Sequence, residues 1–253
     1  MKILLTNDDG IYARGLWALY SELSDRHEVT VVAPDRERSA IGYGITLNSP
    51  LRLDEVNING EFSGYAVSGT PVDCIKLGLL EILKHRPDLV ISGINPGANV
   101  GININYSGTV SAAREAALYG IPAIAVSVQG LGDDNYSESA RFVASVAGSV
   151  REKGLPFGTM LNVNIPGIPF NQIAGVRISR QGVDLFPEHI EKRIDPRQRV
   201  YYWQSGEPDQ IFEQPDVDGA ALKEKYITVT PIKCDMTDYR MMEELKRWEL
   251  DKP

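Results

Sequence analysis

The first 34 residues constrain the fold more than any other part of the chain. KILLT, residues 2–6, is a short apolar run that reads as a buried strand. In the following ARGLWALYSELSDR, Leu16, Leu19, Tyr20 and Leu23 fall at the i, i+3, i+4, i+7 spacing of one helix face. HEVTVVAP then reads as a second strand, stopped by Pro34. Strand, helix and strand in so short a span form a βαβ unit, which requires parallel strands and a right-handed crossover.

The rest of the chain supplies more such units. Segments near 51–56 and 61–67 alternate as a hairpin would, around the turn signal NING. GTPVDCIKLGLLEILKH carries a helix start: Thr70 as cap, Pro71 at the first position, Asp73 three residues after the cap. Its expected apolar face is Val72, Ile75, Leu79, Ile82 and Leu83. PDLVISGIN and IPAIAVSV are further strands, separated by a loop over 93–108 and a helix over about 109–119. A helix over 137–152 presents Phe142, Val143, Val146 and Val150, and MLNVNIP follows as a strand. Four or five parallel strands alternating with helices predict a doubly wound α/β core over 1–167. The remainder, 168–253, reads as a C-terminal extension. Residues 168–225 form an arm with strand-like VRISRQG and RVYYWQSG. YITVTPI returns as a strand, and MTDYRMMEELKRWELDK is a terminal helix. Tyr201, Tyr202 and Trp203 suit packing of the arm better than base stacking.

Composition narrows the function. With 26 basic against 34 acidic residues the net charge is -8, which argues against gripping a nucleic-acid polymer through its backbone. An anionic substrate therefore needs local positive charge, from a metal or from helix ends. Cys74 and Cys234 are far apart and form no CxxC pattern, which fits a reducing compartment. No apolar run approaches the ~18 residues of a membrane span, and the start has no signal-peptide pattern. These features set the expectation of a cytoplasmic protein with no membrane partner.

Ligands of open α/β sheets bind beyond the carboxyl ends of the strands. Three polar loops leave that edge. The first holds Asp8, Asp9 and Gly10; the second, PDRERSAIGYG, holds Ser39; the third, SGINPGANVGININYSGT, holds Asn95, Asn99, Ser107 and Thr109. Two carboxylates about 4 Å apart repel by roughly 4 kcal/mol at an effective dielectric near 20. They can address one point only if the strand has ended, and Gly10 permits that turn. Oxygen ligands without His or Cys suit a hard cation such as Mg²⁺, Mn²⁺ or Ca²⁺. The plain alternative is that one Asp caps the next helix and the other is solvated. In the third loop, Ser107, Gly108 and Thr109 sit where a helix begins, an anion site by its free N–H groups and dipole. There the plain alternative is Thr109 as an N-cap with no ligand. A serine such as Ser39 in a charged loop carries no signal by spacing. His27, His85 and His189 are scattered, and HExxH, G-x-S-x-G, Walker A and an early GxGxxG are all missing.

ILLTNDDGI, VVAPDRERSA, SGTPVDC, ISGINPGANVG and YSGTVSAA together resemble the SurE family of survival-protein nucleotidases, in order from residue 1 to about 128 and more loosely through LNVNIP and YITVTPI. The resemblance implies a Rossmann-like core with an extension that swaps between subunits. It implies metal-dependent hydrolysis of nucleoside 5′-monophosphates, with some 3′ activity, and one divalent cation per subunit, Mg²⁺ or Mn²⁺. By it, Asp8, Asp9, Ser39 and Asn95 are metal ligands, and Asn99, Ser107, Gly108 and Thr109 contact phosphate. Asp8 or Asp9 would act as base, or one of them as nucleophile. The arm would join a homodimer or homotetramer and bring an acid near Asp216 or Asp218 toward a neighbouring pocket. Arg114 and Ala116 stand where the family pattern has Met and Gly, and AIGYG departs from an Asn- and Ser-rich form. Both departures border the pocket and leave substrate preference open.

Other classes compete. A receiver-like module also pairs acids after strand one, but it needs about 120 residues and an acid where Asn95 stands. A haloacid-dehalogenase-type phosphatase needs acid, any residue, acid, which NDDG does not supply. A non-catalytic or regulatory metal- or nucleotide-binding α/β module remains, separated from an enzyme by phosphatase assay with and without EDTA.

Overall fold

The computed structural model describes residues 1–58, 60–130, 136–183, 188–206, 214–248 and 250. The strands are β1 (Lys2–Thr6), β2 (Glu28–Pro34), β3 (Leu53–Ile58), β4 (Glu61–Val67), β5 (Leu89–Pro96), β6 (Ala123–Val128), β7 (Thr159–Ile165), β8 (Gly175–Ile178), β9 (Glu188–Ile194), β10 (Val200–Gly206) and β11 (Tyr226–Lys233). The helices are α1 (Arg14–Leu23), α2 (Pro71–Leu77), α3 (Gly108–Leu118), α4 (Tyr136–Lys153), α5 (Asp218–Lys223) and α6 (Tyr239–Leu245). One sheet runs β3-β4-β2-β1-β5-β6-β7-β11-β8, and β9 and β10 pair as a separate antiparallel ribbon. Among them β4-β2-β1-β5-β6-β7 are all parallel. The parallel set exceeds the expected four or five because β4, paired with β3 in the hairpin, lies parallel to β2 along its other edge, Val32 opposite Tyr65. Asn59 of the NING turn lies outside the described residues.

The fold is α/β. The chain builds outward from β1 through β2, then crosses back to place β5 on β1's other side. This is a topological switch point, where the loops after β1 and β5 diverge and leave a crevice. Two apolar layers close over the sheet. Leu16, Leu19 and Leu23 of α1 and Val143, Ala147 and Val150 of α4 cover one face. Val72 lies buried on α2, whose Cys74 and Ile75 join Ala112, Ala113 and Ala116 of α3 on the other face. The small residues of α3 let it sit close to the sheet. β11 lies between β7, antiparallel, and β8, parallel, so the chain beyond residue 168 returns a strand to the main sheet.

The start of α2 is the predicted capping box: the Asp73 N–H donates to Thr70 Oγ1 at 3.1 Å and the Thr70 N–H to Asp73 Oδ2 at 2.9 Å. Thr70 Oγ1 also donates to the Gly44 carbonyl at 2.8 Å, tying down the loop after Ser39. Thr70→Ala should therefore cost about 1–2 kcal/mol and lower the melting temperature by several degrees; an unchanged melting curve would refute this. Past Leu77 the helix widens into a π-helical turn, Gly78–Ile82, where a Cβ on Gly78 would lie 3.0 Å from Leu4. The expected single face is thereby broken: Val72 and Ile75 are buried, Leu79, Ile82 and Leu83 only half-buried. The terminal helix is shorter than expected, starting at the Asp238 cap, and residues 249 and 251–253 lie outside the described set. α5, unseen in the sequence, falls in the stretch read as an arm.

Candidate active site

The crevice is built from the end of β1. Asn7, buried, grips the turn after it: Nδ2 donates to the Gly10 carbonyl at 3.0 Å and the Gly10 N–H to Oδ1 at 3.2 Å. Gly10 has φ +100, and a Cβ there would meet the Arg36 backbone at 3.0 Å. The strand has thus ended before the acidic doublet, as its chemistry demands.

Asp8 is buried and turned toward the start of α3. Its Oδ1 accepts the Thr109 hydroxyl, and its Oδ2 would lie 2.9 Å from a Cβ on Gly108. Burial pushes the Asp8 carboxyl up, against the pull of the Thr109 hydroxyl and the Gly108 and Thr109 amides. Asp9 has no such support. Burial, then Asp8, then Glu37 raise its carboxyl to about 7, and Oδ2 is buried without a hydrogen-bond partner. A buried, partnerless carboxylate oxygen facing only negative neighbours is costly as it stands. A cation there satisfies it. Among the described residues no three His, Cys, Asp or Glu cluster as a metal site. The expected set of two acids with the neutral oxygens of Ser39 and Asn95 falls outside that description, and Asp9 is the observation that such a set fits.

The other expected residues are placed as follows. The loop after β2 lies against the doublet, the Arg38 N–H donating to the Asp8 carbonyl at 2.7 Å. Ser39 is exposed and its hydroxyl is directed to Glu37 Oε1 at 2.6 Å. Asn95 sits just past a register slip in β5, where pairing with β6 resumes at Ser127; its Nδ2 donates to the Gly97 carbonyl at 2.6 Å, which leaves the amide oxygen for a ligand. Ser107, not Thr109, is the N-cap of α3: Oγ accepts the Val110 N–H at 3.1 Å and keeps its proton to donate. The Thr109 hydroxyl orients Asp8. Asn99 is turned toward the sheet, its Nδ2 donating to Ser127 Oγ at 2.8 Å. Arg114 is turned away along α3, over the Tyr43 ring and within 3.3 Å of the Cys234 carbonyl, so packing absorbs that departure. Asp216 forms a bidentate pair with Arg180, and Asp218 is buried against its own chain's Gly101.

Sequence reasoning missed Asn7, Glu37, Asn162 and Asn164. A signal existed for the last two: polar residues two apart share a face of a strand, and LNVNIP places both Asn inside an otherwise apolar run.

The profile of the family described as Survival protein SurE matches residues 3–188. The chain is similar to "5'-nucleotidase SurE" of Desulfatibacillum aliphaticivorans, 57% identical with 100% of both chains covered. It is 48% identical to "5'-nucleotidase SurE" of Syntrophobacter fumaroxidans, over 99% of this chain and 100% of that one. In structure it resembles the Sure protein from Aquifex aeolicus, with a TM-score of 0.86 and 39% identity over 98% of this chain and 100% of that chain. With these identities spanning both chains and the acidic turn at the switch point, the chain belongs to the SurE family.

Proposed function

We propose that the protein is a 5′-nucleotidase, hydrolysing nucleoside 5′-monophosphates, and 3′-monophosphates more slowly, with one Mg²⁺ or Mn²⁺ per subunit. Full-length relatives carrying the name 5'-nucleotidase support the activity. The observation that carries the site is the partnerless, buried oxygen of Asp9 beside Asp8, next to the start of α3. Asp8, Asp9, Ser39 and Asn95 would hold the cation. When bound, such an ion draws charge from a phosphate oxygen and offsets the repulsion within the doublet.

The chain's own groups do the rest. The Ser107 hydroxyl and the amides opening α3 receive the remaining phosphate oxygens at the helix's positive end. Asn99 lends its free N–H. Asp8, fixed by Thr109, stays in place. Asp9 orients a water for in-line attack and accepts its proton. The water oxygen bonds to phosphorus, the P–O ester bond breaks, the leaving 5′ oxygen takes a proton from solvent, and Asp9 returns its proton to solvent.

A panel of nucleoside monophosphates with Mg²⁺, Mn²⁺ or EDTA tests this. We expect turnover with metal and a loss of at least about 10³-fold in EDTA; binding without turnover would favour a regulatory nucleotide-binding module instead. Assembly through the arm has its own support: Ile190, Tyr202 and Trp203 are exposed on the β9–β10 ribbon. Light scattering should give a dimer or tetramer, and a monomer would remove that part. Among the described residues no helix is long and apolar enough to cross a membrane.

A further inference from the structure

The loop from Gly97 to Gly101 joins β5 to the approach of α3. Gly97 (φ +141) and Gly101 (φ +61) give it two freely turning points. Yet every second residue is held from outside. The Gly97 N–H donates to the Val128 carbonyl of β6 at 2.8 Å. Asn164 of β7 holds both backbone groups of Asn99: Oδ1 accepts its N–H at 2.7 Å and Nδ2 donates to its carbonyl at 3.1 Å, with Asn162 adding a second donor at 2.8 Å. Gly101 gives its N–H to both carboxylate oxygens of Asp218, at 3.1 and 3.0 Å, and takes a hydrogen bond from Gln181 on its carbonyl at 3.0 Å. Asn162, Asn164 and Asp218 are all fully buried. An apolar side chain would fill those places for packing alone; polar groups there need specific partners, and this loop is the partner that all three share.

We propose that Asn164 and Asp218 are positioning residues, which hold the Asn99–Gly101 backbone in the shape that sets the phosphate subsite. The proposal rests on the reading above that Asn99 and the start of α3 receive phosphate. It assigns the buried carboxylate of α5 to its own chain's loop. The metal end of the loop has a separate anchor, since Asn95 and Pro96 remain paired with Ser127 and Val128 of β6. Phosphate and metal binding should therefore respond differently when the clamp is loosened.

Asp218→Asn is selective by geometry. Oδ1 accepts the Gly182 N–H at 3.1 Å and the Gly219 N–H at 2.9 Å and shares the Gly101 N–H at 3.1 Å, whereas Oδ2 is directed to the Gly101 N–H at 3.0 Å. An Asn whose oxygen takes the first place keeps the bonds of Oδ1 and sets an NH₂ against the Gly101 N–H where Oδ2 had accepted it. Asn164→Asp, equally isosteric, sets a carboxylate oxygen against the Asn99 carbonyl. The full-length variants are compared with wild type for melting temperature, KM and kcat on 5′-AMP, inhibition and calorimetric binding by inorganic phosphate, and half-saturating Mn²⁺ read by thermal shift. In both, KM and the phosphate inhibition constant should rise about tenfold or more, with half-saturating Mn²⁺ within twofold of wild type. Folded variants with wild-type phosphate binding, or with phosphate and Mn²⁺ weakened alike, would overturn the proposal. So would two variants that fail to fold, because the side chains would then hold the fold and not the loop. A wild type that hydrolyses no nucleoside monophosphate refutes the nucleotidase reading instead, while phosphate calorimetry still reads the clamp.

Discussion

Asp9→Asn should lower kcat/KM on 5′-AMP by at least about 10³-fold and, at pH 8 without metal, raise the melting temperature by several degrees. The two effects have one cause. Asp9 is half-buried, its Oδ2 is buried without a hydrogen-bond partner, and the charges reaching it from Asp8 and Glu37 are negative. In the metal-free protein that charge is a liability, which the isosteric amide removes. In the proposed mechanism the same charge would hold the ion and accept the proton of water. A variant that loses activity and stability together would mean that Asp9 is structural; one that keeps full, metal-dependent activity would remove it from the site.

The pH dependence follows with a definite sign. Folding raises the Asp9 carboxyl from the ordinary 3.8 to about 7, so between those values the folded state binds more protons than the unfolded. Stability must then fall as pH rises from about 4 to about 7 and level off above, by a few kcal/mol in all. The upward shift of Asp8 acts in the same direction. Asp9→Asn lacks the Asp9 contribution, so its advantage at pH 5 should be about a third of that at pH 8. Mn²⁺ binds the ionised form and should stabilise wild type far more at pH 8 than at pH 5. Melting curves at the two pH values, with and without Mn²⁺, check each sign.

The parallel sheet was legible because β1, α1 and β2 each carry a single unambiguous period, and Thr70, Pro71 and Asp73 punctuate α2 without competition. The turn that carries the acidic doublet was legible too, since two adjacent acids can converge only where a strand has ended, and β1 ends at Thr6. What escaped depends on contacts across long sequence separations. Ser39 has no local signature, and its loop is fixed by Arg38 meeting the Asp8 backbone. Thr109 reads as a cap until Asp8, a hundred residues earlier, claims its hydroxyl. The place of the β3–β4 hairpin in the main sheet depends on β4 pairing with β2. The arm was the least legible: α5 spans six residues, too few for periodicity, and its Asp218 acquires meaning only from Gly101.

Gly108→Ala should lower kcat/KM by at least about 10²-fold and raise half-saturating Mn²⁺, with little change in melting temperature. Gly108 is the first residue of α3, and its φ is not in the left-handed region, so the backbone accepts alanine. Helix propensity alone would favour the substitution. The obstacle is local: the new methyl would lie 2.8 Å from Asp8 Cβ, 2.9 Å from Asp8 Oδ2 and 3.1 Å from Pro71 Cγ. Neither Cβ nor the proline ring is the free end of a flexible side chain, so the Asp8 turn and the start of α3 must draw apart by a few tenths of an ångström, which costs Asp8 the Thr109 hydroxyl. Contrast Gly15, where a Cβ would stand 2.1 Å from the Ile94 carbonyl oxygen. There the clash is with the backbone of β5, and alanine should unseat α1 and cost the fold itself. At Gly108, unlike Gly15, the added carbon strikes Asp8, the proposed metal ligand, and no backbone of the sheet lies among its nearest atoms. Near-native activity in a folded Gly108→Ala protein would show that Asp8 need not rest on α3, and would detach the acidic doublet from the helix start that is taken to receive phosphate.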